Sequence, residues 1–275
     1  MARLSASVFA PALRQVLPAL LALAAVPSAA QLPERPAAAP DAGHCLPAPP
    51  GSLTPQQARL TVLLDRIEAT FPGPDPLIAA AAPAAICLDD RPMEGLGFYE
   101  PGSQSLVLDA GLSDDLLFPI LVHELRHVWQ YNSSYCPSLA LSRSEHLLQI
   151  YAMEADAQAI ATLYGWAGAR AGQPAPWAEL EGHYRTRDIA ARFRAAAEAG
   201  ASDADAVAAA FAAWYDDPDR VETYYRAACS AWYDALDKAH VGAGSGTLAE
   251  GHFDRLCRLP DGSRYPCQPR LPSRP

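Results

Sequence analysis

Five consecutive residues, His123-Glu124-Leu125-Arg126-His127, spell H-E-x-x-H inside the apolar run Leu116 to Trp129, which reads as a buried helix. Helical residues four apart lie one above the other on the same face. His123 and His127 can therefore direct two imidazoles at one metal ion, and zinc suits that donor set. Glu124 stands beside them, about 100° round the helix. From there its carboxylate can take a proton from water held on the ion. The bland alternative is a helix that happens to carry two satisfied histidines. It leaves unexplained why a helix of Leu, Ile, Val and Trp should also bury three ionisable groups, since unpaired buried charge is strongly destabilising.

A hydrolytic zinc site takes three protein ligands and leaves one position open. The longer signature H-E-x-x-H-x-x-G-x-x-H is excluded, because Gln130 stands where its Gly would be and Ser133 where its third His would be. The next candidates lie on the following helix: His146, Glu154 and Asp156, with Glu145 beside them. Glu154 is expected to be the ligand. It sits in Met153-Glu154-Ala155-Asp156-Ala157-Gln158-Ala159, where small neighbours let two helices approach closely around a metal. Asp156 and His146 are its rivals. Gln158, one turn beyond Glu154, is expected to orient a ligating imidazole and fix its tautomer. Tyr151, Tyr164, His146, His183 and Tyr184 can each supply a donor to a developing oxyanion, and the sequence does not rank them.

The elements that must position these groups follow from capping and periodicity. Thr54-Pro55 starts a helix in which Leu60, Leu63, Leu64 and Ile67 recur at helical spacing up to Phe71. After a Pro-Gly-Pro break and a short Ala-rich segment, Ala85 to Leu88 reads as a short strand. Gly97 to Tyr99 and Ser105 to Leu108 flank a Pro101-Gly102 turn, which predicts a hairpin. Ser113 is a candidate N-cap, with Asp114 and Asp115 favoured by the helix dipole in the first turn. The motif helix then runs to Tyr131-Asn132. Further helices are predicted over 139–164, 177–199, 203–214 and 218–239, with loop from Gly242 onward. The aromatic residues Trp214, Tyr215, Tyr224, Tyr225, Trp232 and Tyr233 recur at helical spacing and read mainly as core. The same helices are placed to form the far wall of a substrate cleft.

The ends of the chain speak to compartment. Arg3 and Arg14 precede or flank an apolar segment, Val16 to Val26, that is too short to span a bilayer, and Ser28-Ala29-Ala30 follows with small residues. Residues 1–30 read as a signal peptide, and residues 31–52 as a flexible Pro- and Ala-rich lead-in. A domain over 53–241 follows, then a disulfide-stapled tail over 242–275. All six cysteines lie after the expected cleavage point, and none form C-x-x-C, so disulfides in an oxidising compartment are expected. Cys257 with Cys267 is the expected pair within the tail. The location is thus periplasmic or secreted. The formal charge of −10 becomes −12 once Arg3 and Arg14 are removed, which argues against nucleic acid or an anionic membrane as partner.

His123-Glu124-x-x-His127 followed by Glu154-x-x-Ala157-Gln158 on a later helix resembles the zincin metallopeptidases whose third ligand is a glutamate, the gluzincins. The wording Val122 to Gln130 is also similar to that of small exported bacterial domains of metallopeptidase type. The resemblance covers about residues 95 to 165. It implies an α+β fold: a mainly helical core with a small sheet or hairpin before the H-E-x-x-H helix, plus a C-terminal helical region. It also implies that the edge strand holds an extended substrate. Gln158 departs from the Asp or Asn usual in that family. The expected function is zinc-dependent hydrolysis of a peptide or protein, with Glu124 as general base and then acid. The competing expectation is a catalytically inactive zinc-binding protein or a helical interaction protein of the periplasm.

Overall fold

A computed structural model describes residues 41–47, 51–91 and 95–271 of the chain. The expected signal peptide and most of the lead-in lie outside them. Helix α1 (Pro55–Glu68) begins as Thr54-Pro55 predicts: the Thr54 hydroxyl accepts from the Gln57 N–H, and the Gln57 side chain accepts from the Thr54 N–H. Such a reciprocal cap stabilises a helix start by about 1 kcal/mol. Leu60, Leu63 and Ile67 are wholly buried on one face of α1, each contributing about 1.5–3 kcal/mol. The short Ala-rich segment forms α2 (Pro76–Ala81).

Four strands form one mixed sheet: β1 (Cys45–Leu46), β2 (Ala85–Asp89), β3 (Gly97–Glu100) and β4 (Ser105–Asp109), in the order β1-β2-β4-β3. The predicted hairpin is β3 with β4, and β2 lies parallel to β4 on its other side. Strand β1 corrects the expectation of a flexible stretch up to residue 52. Cys45 faces Cys87 across the β1–β2 pair and is bonded to it, so a ladder and a disulfide order a segment whose Pro- and Ala-rich composition gives no sign of it.

The motif helix is α3 (Asp114–Asn132), and Ser113 caps it by accepting from the Leu116 N–H. Its start is held from α1: Arg59 donates to the Ala110 and Leu112 carbonyls and pairs with Asp114, while Arg66 pairs with Asp115 at 3.1 Å. Gly97 lets β3 lie close to α3, because a Cβ there would sit 2.8 Å from Leu108 Cδ2 and 3.1 Å from Ile120 Cγ2. Helix α4 (Arg143–Arg170) follows. It starts four residues later than the predicted 139 and continues past the predicted 164. The delay arises because residues 140–142 run alongside the C-terminal tail instead, with Gly246 N–H donating to Ala140 O at 2.9 Å and Ser142 N–H to Gly246 O at 2.8 Å.

Ala152, Ala155, Ala157, Ala159 and Ala161 of α4 are all buried. A helix apolar around its whole girth belongs at the centre of a domain, and α4 is packed by α3, α5 (Ala175–Gly182), α6 (Arg187–Glu198), α7 (Asp203–Trp214) and α8 (Pro218–Ala239). The single helix predicted over 177–199 is broken into α5 and α6. His183 takes an extended backbone there, and the Thr186 hydroxyl folds back onto the Leu180 carbonyl at 2.7 Å. Trp214, Tyr215 and Trp232 are buried, as a core reading requires, whereas Tyr233 is half exposed. The tail holds one short helix, α9 (His252–Leu256), where loop was expected, and buries Leu256, Cys257 and Tyr265 in the core.

The architecture is thus α+β and mainly helical. The expected Cys257–Cys267 bond is present. Cys45 pairs with Cys87, and Cys136 and Cys229 are free thiols, one exposed in the loop after α3 and one half-buried on α8. Two disulfides point to an oxidising environment. Among the described residues, no helix is long and apolar enough to cross a membrane. Because the tail bond closes a loop with a sequence separation of 10, replacing Cys257 and Cys267 together by Ser should lower stability by about 2–3 kcal/mol, measured by urea unfolding with midpoint and slope fitted separately for each form.

Candidate metal centre

The ring Nε2 atoms of His123 and His127 face each other at 3.1 Å across one turn of α3. The Glu154 carboxylate comes in from α4 and reaches both, at 3.4 Å to His123 Nε2 and 3.5 Å to His127 Nε2. All three ligand atoms lie within 4.8 Å of one another, the one such cluster among the described residues. Two imidazole nitrogens with lone pairs pointing at each other repel unless a proton or a cation stands between them. A carboxylate beside them completes a donor set of the zinc type. Burial works against charge on Glu154, yet the His127 charge and hydrogen bonds from both imidazoles outweigh it and hold the carboxyl well below the usual carboxylate range. Burial likewise opposes the His127 cation, but the Glu154 charge overcomes it and pushes the imidazole up to about 9.

Asp156, the rival ligand, is engaged elsewhere. It is wholly buried and accepts from Arg126 Nε at 2.7 Å, Arg126 Nη2 at 3.0 Å, Gln130 Nε2 at 2.7 Å and the Tyr265 hydroxyl at 2.6 Å. Arg126 also donates to the Leu256 and Arg258 carbonyls and lies 3.8 Å over the Trp129 ring. His146, the other rival, packs against Trp232 and stands outside the cluster. Gln158 lines the cavity beside His123. The amide bonded to an imidazole of the cluster is that of Gln130, whose Oε1 is 2.8 Å from His127 Nδ1. Sequence reasoning used Gln130 only to exclude a longer signature; its position i+3 from His127 was the available clue.

Glu124 is 7% exposed and opens onto the same cavity, of about 410 Å³, without joining the ligand cluster. Burial pushes its carboxyl up, and the neighbouring Glu154 adds to this, while the two histidines and a hydrogen bond from the Tyr99 backbone N–H act the other way. That hydrogen bond ties the carboxylate to the edge of the sheet. The Asp109 N–H donates to Leu96 O, so alternation along the antiparallel pair turns the backbone groups of Gly97 and Tyr99 away from β4. Among the described residues, β3 has no neighbouring strand on that side. Trp214, Thr223 and Tyr224 also line the cavity. Tyr224, which the sequence reading gave to the core, bonds the Glu154 carboxylate, and burial drives its hydroxyl well above the ordinary tyrosine range. Of the donors weighed from sequence, His183 and Tyr184 line the cavity. Tyr151 donates to the Val221 carbonyl and Tyr164 to Asp75.

Residues 36–267 match the family described as "Putative metallopeptidase family (DUF6782)". The chain belongs to this family. No curated protein and no solved structure matches it. The match spans β1 through the tail disulfide, so the family unit includes the tail that grips Arg126. Together, the family and the His123–His127–Glu154 cluster point to a metal ion as cofactor.

Two outcomes follow from the charges. Arg126→Met leaves Asp156 buried without its cation, and should cost about 3–5 kcal/mol of stability, read from denaturant unfolding. In the metal-free protein His127 keeps its proton below about 9, and a metal must displace it. Affinity for zinc should therefore rise about tenfold per pH unit from 6 and level off near 9. Chelator competition across that range checks this, and a flat profile contradicts it.

Proposed function

We propose that the chain is an exported zinc metallopeptidase that hydrolyses peptide bonds, with residues 1–30 as its export signal. The observation that carries this reading is a division of roles: His123, His127 and Glu154 converge on a point, and Glu124, outside that cluster, lines one cavity together with His123. A divalent ion held by those three supplies Lewis acidity, acidifying water and polarising a carbonyl. Glu124 takes the proton of the attacking water and delivers it to the leaving amine, and a carboxyl raised by burial suits both halves of that task. Tyr224 holds the Glu154 carboxylate in place. An extended peptide fits the free side of β3, where Gly97 offers both backbone groups and Tyr99 its carbonyl.

A peptide lying there meets the base through the strand that binds it, since the Tyr99 N–H is donated to Glu124. Metal analysis and cleavage of a mixed peptide pool by wild type and Glu124→Gln test the reading. Both forms should hold about one zinc per chain, and the variant should lose about 10²–10⁴-fold in cleavage rate. Zinc bound equally, with no cleavage by either form, would leave a metal-binding protein without hydrolytic function.

A further inference from the structure

We infer that Gln130 is a positioning residue that sets the tautomer of His127, and that Asp156 sets the orientation of Gln130. The inference rests on the proposed metal site and extends it to groups that touch no metal. Gln130 is wholly buried on α3, three residues after His127. Its amide nitrogen lies 2.9 Å from the Met153 carbonyl and 2.7 Å from Asp156 Oδ2. Both neighbours are acceptors, so the NH2 group must occupy that side. An amide flipped end for end would set its oxygen against a carbonyl and a carboxylate at once. The network thereby assigns Oε1 to the side of His127.

An amide oxygen only accepts. At 2.8 Å from it, His127 Nδ1 must carry a proton, so the neutral imidazole that would take a metal presents its Nε2 lone pair toward His123 Nε2 and Glu154. Asp156 is in turn kept an acceptor toward Gln130, because its other contacts are donors: Arg126 through two nitrogens and the Tyr265 hydroxyl. The relay therefore runs from the tail (Tyr265) and the motif's own variable position (Arg126), through Asp156 and Gln130, to His127. Each link is a hydrogen bond with one allowed direction. A buried amide that only filled space would not need both ends matched in this way.

Zinc dissociation constants by competition with a chromophoric chelator at fixed pH test this in the full-length mature chain. Gln130→Met keeps the side-chain volume and removes the relay. Gln149→Met is the control: Gln149 is a buried glutamine of α4 that donates to the Tyr135 carbonyl, away from the cluster. The expected result is a loss of about 10–100-fold in zinc affinity for Gln130→Met, with Gln149→Met close to wild type. Equal affinity of Gln130→Met and wild type overturns the inference, and so does an equal loss in both variants.

Long-range ¹H–¹⁵N correlation on the zinc-loaded wild type gives a second readout that does not depend on any variant folding. His127 should coordinate through Nε2 and show an exchange-protected Nδ1–H; coordination through Nδ1, or an unprotected proton, sinks the relay. Wild type that takes up no zinc removes the metal site itself, an outcome distinct from those two.

Discussion

Arg126 and Asp156 are withdrawn almost completely from solvent, one on α3 and one on α4. Charges taken so far out of water are tolerable only where geometry is close and remaining donors and acceptors are matched. Here every Asp156 lone pair has a donor, and the guanidinium also reaches two carbonyls of the tail. The pair fixes how α3 and α4 lie against each other. Asp156 and Glu154 are two residues apart, so they leave α4 about 200° apart. One turns to Arg126 and the other to the histidines. Arg126 and His127 are adjacent on α3 and leave it about 100° apart. The ion pair and the metal cluster are therefore two consequences of one helix–helix register.

Much of this was legible in the residues. Caps at Thr54 and Ser113, the hairpin, the motif helix and the presence of long helices afterwards depend on local signals, and local signals survive tertiary packing. Glu154 could be favoured because alanines around it announce a close helix contact. Four features were not legible, and three of them are long-range. Strand β1 exists through a disulfide and two paired residues. The break between α5 and α6 depends on the Thr186 hydroxyl folding back six residues to the Leu180 carbonyl. Tyr224 reads as core by periodicity, and only the placement of α8 against the cavity turns it toward Glu154. Asp156 looked like a possible ligand because its sequence neighbours say nothing of Arg126, Gln130 and Tyr265, which arrive from other parts of the chain.

The tail has more to do with the centre than its composition suggests. Pro- and Arg-rich and stapled by Cys257–Cys267, it supplies two carbonyls to Arg126 and a hydroxyl to Asp156. It also runs back along residues 140–142, where Gly244 comes so close to Ala140 that a Cβ would lie 2.3 Å from its backbone. Both contacts bear on α4, one near its start and one at Asp156. A segment that looks like an appendage thus closes the far side of the helix pair.

Strand β3 has a further consequence. Its outer margin pairs with no strand among the described residues, is only four residues long, and carries Phe98 with 41% of its surface exposed. An unpaired margin recruits any extended chain, including that of a second copy of the same molecule. Brevity, the charge of Glu100 and the Pro101-Gly102 corner all limit such self-zipping. In a crowded preparation, dimers joined along this margin would cover the cavity lined by Gly97, His123 and Glu124 in both copies, so the strand that borders that cavity is also the molecule's point of exposure to aggregation.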